Sequence, residues 1–321
     1  MKDTDYTFAV ARIRSNEARL LTSAELNAVI SAATYKETVS RLNEKGYEIS
    51  DTDYSPALSK RMENLWKTVC EVLPDKSQFD SVILKNDFAN LKILSKAFIL
   101  GKDPECEYEF PSVYSPEELK ENVFARKNSL LPECLQHADR SSYRILSKTK
   151  FAQLSDSVID RASMEWSIKT AKKADNPILL EMAEIDTACA DIKVLYRCIL
   201  TEKAQSFMER AVAECRAFSK TDIIAAALKG MDSFLEFLSH TDYKGAADAL
   251  KVSTTEFERW CDNKKISALK NTKTEVFGIS PIVAFYYAAE TEIRNIRIIL
   301  SAKMNGLSEE TIRARVRDSF V

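Results

Sequence analysis

Histidine, tryptophan and glycine are scarce in this chain of 321 residues, at two, three and six, and proline occurs eight times. So little glycine leaves few tight turns or β-bulges, while long stretches carry Ala, Leu, Glu, Lys and Arg at helical spacing; an almost entirely helical fold is expected. There is no GxGxxG, GxxxxGK[ST] or GxSxG run, which excludes a glycine-lined phosphate cradle and a nucleophile elbow. No HExxH and no CxxC pair occurs, so His137 (in His-Ala-Asp) and His240 (in His-Thr-Asp) suit a repeated structural role better than a metal site. Glu181, Glu184, Glu290 and Glu292 lack the Glu-x-x-His elements that a di-iron bundle needs. Neither a cofactor nor a metal is expected. The seven cysteines are odd in number, and Cys70, Cys189, Cys198 and Cys215 sit in helical patterns as small apolar residues do, which fits a reducing cytosol. No stretch approaches about 18 uninterrupted apolar residues and Met1 to Tyr6 has no signal-peptide character, so a soluble chain that does not cross a membrane is expected. Charge of one sign is also missing: 46 basic residues face 48 acidic ones, which argues against a nucleic-acid partner.

What is present is a pattern in triplicate. Asn90-Leu91-Lys92-Ile93-Leu94, Asp191-Ile192-Lys193-Val194-Leu195 and Asn295-Ile296-Arg297-Ile298-Ile299 begin at positions 90, 191 and 295, at intervals of 101 and 104 residues. Trp66, Trp166 and Trp260 fall once per interval, and Leu42, Leu146 and Leu250 close similar segments 104 residues apart. Solenoid repeats run to roughly 20 to 50 residues, so this longer period suggests three small helical bundles instead. The expected division is residues 1–102, 103–206 and 207–321, with the carboxyl-terminal helix packing near the first module. Prolines 104, 111 and 116 mark the linker between the first two.

Capping signals place the helices. Thr22-Ser23-Ala24-Glu25 reads as a break and restart. The first motif helix is expected from Phe79 to about Ile99, the second from Ile178 to about Ser206 after Asn176-Pro177, and the third from Ser280-Pro281 to about Asn305. Two shorter helices, Leu130 to Ala138 and Ser141 to Leu146, are expected in the second module. In each motif the Asn or Asp and the Lys or Arg lie two apart and point to different sides of the helix. Such polar residues either bridge to a neighbouring helix inside the module or line a central opening where a partner meets them. Phe285, Tyr286 and Tyr287 are consecutive, so at least one is expected at an inter-module contact or an exposed patch. Arg313, Arg315 and Arg317 suit the last turn of a terminal helix, with attraction to acidic partners or lipid headgroups as the other reading.

Three segments carry a family resemblance: Tyr6-Thr7-Phe8-Ala9-Val10-Ala11-Arg12-Ile13-Arg14-Ser15-Asn16-Glu17, Asn86-Asp87-Phe88-Ala89-Asn90-Leu91-Lys92, and Glu292 to Ile299 with Lys303, Gly306-Leu307, Glu310, Ile312-Arg313 and Arg315. In order and spacing they resemble the C subunits of bacterial and archaeal V-type (A-type) ATPases, the counterparts of the eukaryotic V-ATPase d subunit. Asp191, just after Cys189, departs from the Asn of the other two copies, so the same contacts are not carried over to the middle one. The resemblance implies an all-α funnel of three pseudo-threefold-related bundles around a central cavity. It implies a non-catalytic rotor subunit on the cytoplasmic face of the membrane, a socket joining central-stalk subunits D and F to the proteolipid ring during ATP-driven proton or sodium transport. Contact with the membrane is indirect, through the ring. Candidates for the inner surface and its support are Arg12, Arg14, Glu17, Asn90, Lys92, Asn295 and Arg297. The repeat alone equally supports a helical scaffold or adaptor unrelated to rotary motors.

Overall fold

The computed structural model describes residues 6–104, 107–126 and 130–321. The segment Met1 to Asp5 and Cys106 lie outside the described residues. Among the described residues the fold is all-α, with sixteen α-helices and no strand. In chain order they are α1 (Thr7–Glu17), α2 (Ser23–Ile30), α3 (Tyr35–Glu44), α4 (Ser55–Val72), α5 (Asp80–Leu100), α6 (Pro116–Phe124), α7 (Glu133–Thr149) and α8 (Ala152–Lys173). There follow α9 (Pro177–Leu200), α10 (Gln205–Ala211), α11 (Lys220–Leu228), α12 (Met231–Ser239), α13 (Lys244–Val252), α14 (Thr254–Lys270), α15 (Ser280–Met304) and α16 (Glu309–Arg313).

Local chemistry sets most of these ends. Thr22 and Glu25 form a reciprocal capping box at α2, and Ser115 and Glu118 form another at α6. Asn176 accepts the N–H groups of Ile178 and Leu179 in front of Pro177 at the start of α9. Gly101 closes α5 in the left-handed conformation, where a side chain is disfavoured.

Two elements differ from expectation. The second motif helix stops at Leu200 rather than near Ser206: Glu202 takes a positive φ of 50° and the Lys203 N–H reaches back to the Cys198 carbonyl at 2.9 Å, a turn that ends the helix without glycine. The two short helices expected between Leu130 and Leu146 are one, α7. Its polar residues are satisfied laterally and do not cap: Asp139 pairs with Arg126 at 2.9 Å, and the Ser142 and Ser155 hydroxyls share a 2.7 Å hydrogen bond.

The chain forms two compact units. One is built from both chain ends, Met1–Lys76 with Asp248–Val321; the other is Ser77–Ala247. These units follow packing, whereas the division at residues 102 and 206 follows repeat spacing, and the two cut the chain differently. In the first unit α15 is the central helix and packs against α1, α3, α4, α14 and α16. Its first ten residues are all buried, so of the two places expected for Phe285, Tyr286 and Tyr287 the exposed patch does not occur, whereas Tyr286 meets Trp66, from the segment assigned to the first module, edge-on with centroids 6.4 Å apart. In the second unit α5 and α8 are the hub. Leu84, Phe88, Leu91 and Leu94 of α5 form one core with Leu119, Val123, Leu135 and Ile159 from α6, α7 and α8, each such side chain contributing about 1.5–3 kcal/mol by leaving water.

Candidate partner-contact site

The three motif helices are α5, α9 and α15, and in each the Asn or Asp performs one task. Asn90, Asp191 and Asn295 are 0%, 1% and 2% exposed. Asn90 accepts the Glu109 N–H at 2.7 Å and donates to the Glu109 carbonyl at 3.1 Å. Asn295 accepts the Arg317 N–H at 2.9 Å and donates to the Arg317 carbonyl at 3.0 Å. Asp191 accepts the Ala213 N–H at 3.0 Å. Each clamps the backbone of a segment about twenty residues further along the chain than itself, which would otherwise leave buried peptide groups unsatisfied.

Acidic neighbours extend the clamps. Asp87, three residues before Asn90, accepts the Val113 and Tyr114 N–H groups at 2.9 Å each, and Asn86 donates to the Pro111 carbonyl at 2.7 Å. Burial pushes the Asp87 carboxyl up to about 6 even though those N–H groups favour its charge. Glu292, three before Asn295, accepts the Leu21 N–H at 2.5 Å, the Tyr47 hydroxyl and Arg61 at 3.3 Å, and the Arg61 guanidinium lies 3.9 Å over the Tyr47 ring. In the middle copy Ala188 occupies that spacing, and Glu184, a turn further back, accepts the Arg216 N–H at 2.7 Å instead. Glu292 and Glu184 are therefore spent on contacts inside the fold, and no group of metal-ligating residues occurs among the described residues. This acid three residues ahead of the Asn was readable in two of the copies; the segments that the clamps hold carry no sequence signal of their own.

The remaining candidates divide into support and surface. Arg14 pairs with Glu17 at 2.5 Å and donates to the carbonyls of Thr272, Lys273 and Glu275 at 3.0 Å, tying α1 to the segment after α14. Arg12 pairs with Glu71 of α4 at 2.6 Å and stays substantially exposed. Lys92 reaches Asp160 at 2.6 Å, and one turn on Lys96 reaches Asp156 at 2.7 Å, two rungs between α5 and α8. An open groove of about 540 Å³ lies beside them, lined by Lys92, Lys96, Leu100, Asp103 and Glu109. Arg297 is exposed, and among the described residues no hydrogen bond or ion pair holds it.

Of the carboxyl-terminal arginines, Arg313 and Arg317 are engaged within the first unit, while Arg315 is exposed. Arg313 bonds Glu309, Asn27 and Ser31, and Arg317 meets Asp262 at 2.9 Å. Burial works against the Asp262 charge, but Lys265, Arg294 and Arg317 together hold its carboxyl down at about 2. His137 is exposed on α7, and His240 is the exposed C-cap of α12.

Each motif helix also ends on an exposed apolar residue: Leu100 at 70%, Leu200 at 61% and Met304 at 49%. The turn after it closes the same way each time, with the Lys102, Lys203 and Leu307 N–H groups bonded to the carbonyls of Ala97, Cys198 and Ala302. The motif helices thus keep their Asn or Asp inside the fold and present apolar side chains at their ends, an all-α arrangement whose exposed features are contact surfaces. The chain belongs to the ATP synthase (C/AC39) subunit family, whose model matches residues 9–315, and it is thereby a C-type subunit of a V- or A-type ATPase. It is 26% identical over 278 residues to the C subunit of the V-type sodium ATPase of Enterococcus hirae, covering 85% of each chain. It is also 25% identical over a 345-residue alignment to the C subunit of the A-type ATP synthase of Methanocaldococcus jannaschii, covering 96% of this chain and 85% of that one.

Proposed function

We propose that the protein is the non-catalytic socket of its ATPase, receiving the central shaft of subunits D and F and passing rotation to the membrane proteolipid ring at the cytoplasmic face. The observation that carries this reading is the family match across residues 9–315. The three-part funnel implied by the sequence resemblance belongs to the same proposal. Among the candidate residues, Asn90, Asn295, Arg14 and Glu17 are assigned to support, because their hydrogen bonds are spent inside the fold. On the first unit Arg12, Arg297 and Met304, and on the second Lys92, Leu100 and Leu200, are assigned to contact surfaces.

The test is capture of a tagged D–F shaft by the intact chain and by a variant combining Arg12→Glu, Lys92→Glu and Arg297→Glu. The variant is expected to lose capture while keeping its helical content. Undiminished capture removes these three residues from the surface. Purification of the native complex tests the function itself: the chain should arrive with the proteolipid ring, and an assembly that contains this chain but no ring supports the helical adaptor instead.

A further inference from the structure

The middle clamp differs from the other two in one group. A carboxamide offers one acceptor and one donor, and Asn90 and Asn295 use both on the same backbone residue, accepting its N–H and donating to its carbonyl. Asp191 makes the accepting half with Oδ1, to the Ala213 N–H at 3.0 Å. Its Oδ2, which corresponds to the amide nitrogen, is buried and has no hydrogen-bond partner among the described residues. An ionised carboxylate here would keep a charge out of water with one oxygen unsolvated, a costly arrangement.

The surrounding charges do not relieve it directly. Lys220 of α11 donates to the Val212 carbonyl at 2.7 Å, and Arg161 of α8 is engaged by Glu165 at 2.7 Å and by the Glu209 carbonyl of α10 at 3.3 Å. Glu165 opposes the Asp191 charge while Lys220 and Arg161 favour it, and the Cys215 thiol lies in the same environment. We propose that Asp191 carries a proton on Oδ2 in the folded protein and acts as a stand-in for asparagine, donating to the Ala213 carbonyl, so that the middle clamp opens when the carboxyl ionises. A carboxylic acid presents the same donor and acceptor pair as a carboxamide, which is why one clamp accommodates either. In line with this geometry, burial pushes the Asp191 carboxyl up to about 8, against the pull of the Ala213 N–H, Lys220 and Arg161.

The sign of the linkage follows from a folded value above the unfolded one. The stabilisation is complete below about pH 4 and is lost as pH rises toward and through about 8. The experiment compares urea midpoints of the intact chain, Asp191→Asn and Asp191→Ala from pH 5 to pH 9, together with carbon-13 NMR of the Asp191 carboxyl in the unmodified protein. Taking the difference between chains cancels the titration of Asp87, which all three chains share. The intact chain should lie nearest Asp191→Asn at pH 5 and fall progressively further below it by pH 9, Asp191→Ala should be weaker than Asp191→Asn throughout, and the carboxyl should be protonated at pH 6. A midpoint difference that does not change with pH, or an ionised carboxyl at pH 6, overturns the proposal. The NMR measurement decides alone if a variant does not fold.

Discussion

At the scale of single residues, the clamps and the Asp262 cluster carry distinct costs. Asn295→Ala orphans the Arg317 N–H and carbonyl, so it should lower unfolding stability by about 1–3 kcal/mol in urea denaturation. Asp262 is the opposite case from Asp191, because its folded value of about 2 lies below its usual one of 3.8. Its contribution is present above pH 4 and is lost as pH falls through about 2. Asp262→Asn should therefore cost about 2 kcal/mol at pH 7 and nearly nothing at pH 2, read as the converging thermal midpoints of the two chains. Of the residues singled out from sequence, Asn90 and Asn295 matter as backbone fasteners, a role that spacing alone could not separate from a place on an opening. The distinction depends on where Glu109 and Arg317 lie, and those partners are fixed only once the chain has returned along the motif helix.

At the scale of elements, the helices were legible where a cap or a stop is written into adjacent residues. Thr22 with Glu25, Asn176 with Pro177, and Gly101 are all local signals, and α2, α9 and α5 begin or end on them. The stop of α9 was not legible, because Glu202 supplies the left-handed turn without being glycine. The continuity of α7 was hidden for a related reason: Ser142 resembles a cap, but its partner, Ser155, comes from another helix. The burial of Phe285, Tyr286 and Tyr287 was equally hidden, since three consecutive aromatics are all covered only when a helix is surrounded. Thr22→Ala removes one half of the α2 capping box and should destabilise the first unit by about 1 kcal/mol, measured by denaturant titration. Lys45 also holds Glu25, whose carboxyl is drawn down to about 2 by that contact first and by Thr22 second, so Glu25→Gln should reproduce part of the loss in low salt.

At the scale of the whole molecule, the proposed socket function requires torque to pass without slip, which favours contacts spread over many modest ones. Arg297→Glu alone should weaken shaft capture less than about tenfold, which corresponds to about 1.4 kcal/mol, and the combined reversal with Arg12→Glu and Lys92→Glu should weaken it by much more; titration against labelled D–F shaft measures both. The family was legible from end to end because the motifs recur in order across the chain, and the match over residues 9–315 spans them. Of the make-up of the first unit, only a place for the carboxyl-terminal helix near the first module was expected; nothing in residues 1–76 announces that the whole of residues 248–321 completes them. That joining of the two ends governs how the protein is made. Helices α1, α3 and α4 leave the ribosome long before α15, the helix they pack against, has been translated. Ile13, Leu42, Leu58 and Val69, all fully covered in the finished fold, must wait in an open intermediate while residues 77–247 are synthesised, so the second unit is free to fold first and a premature stop before α15 leaves the amino-terminal helices as a substrate for chaperones and proteases.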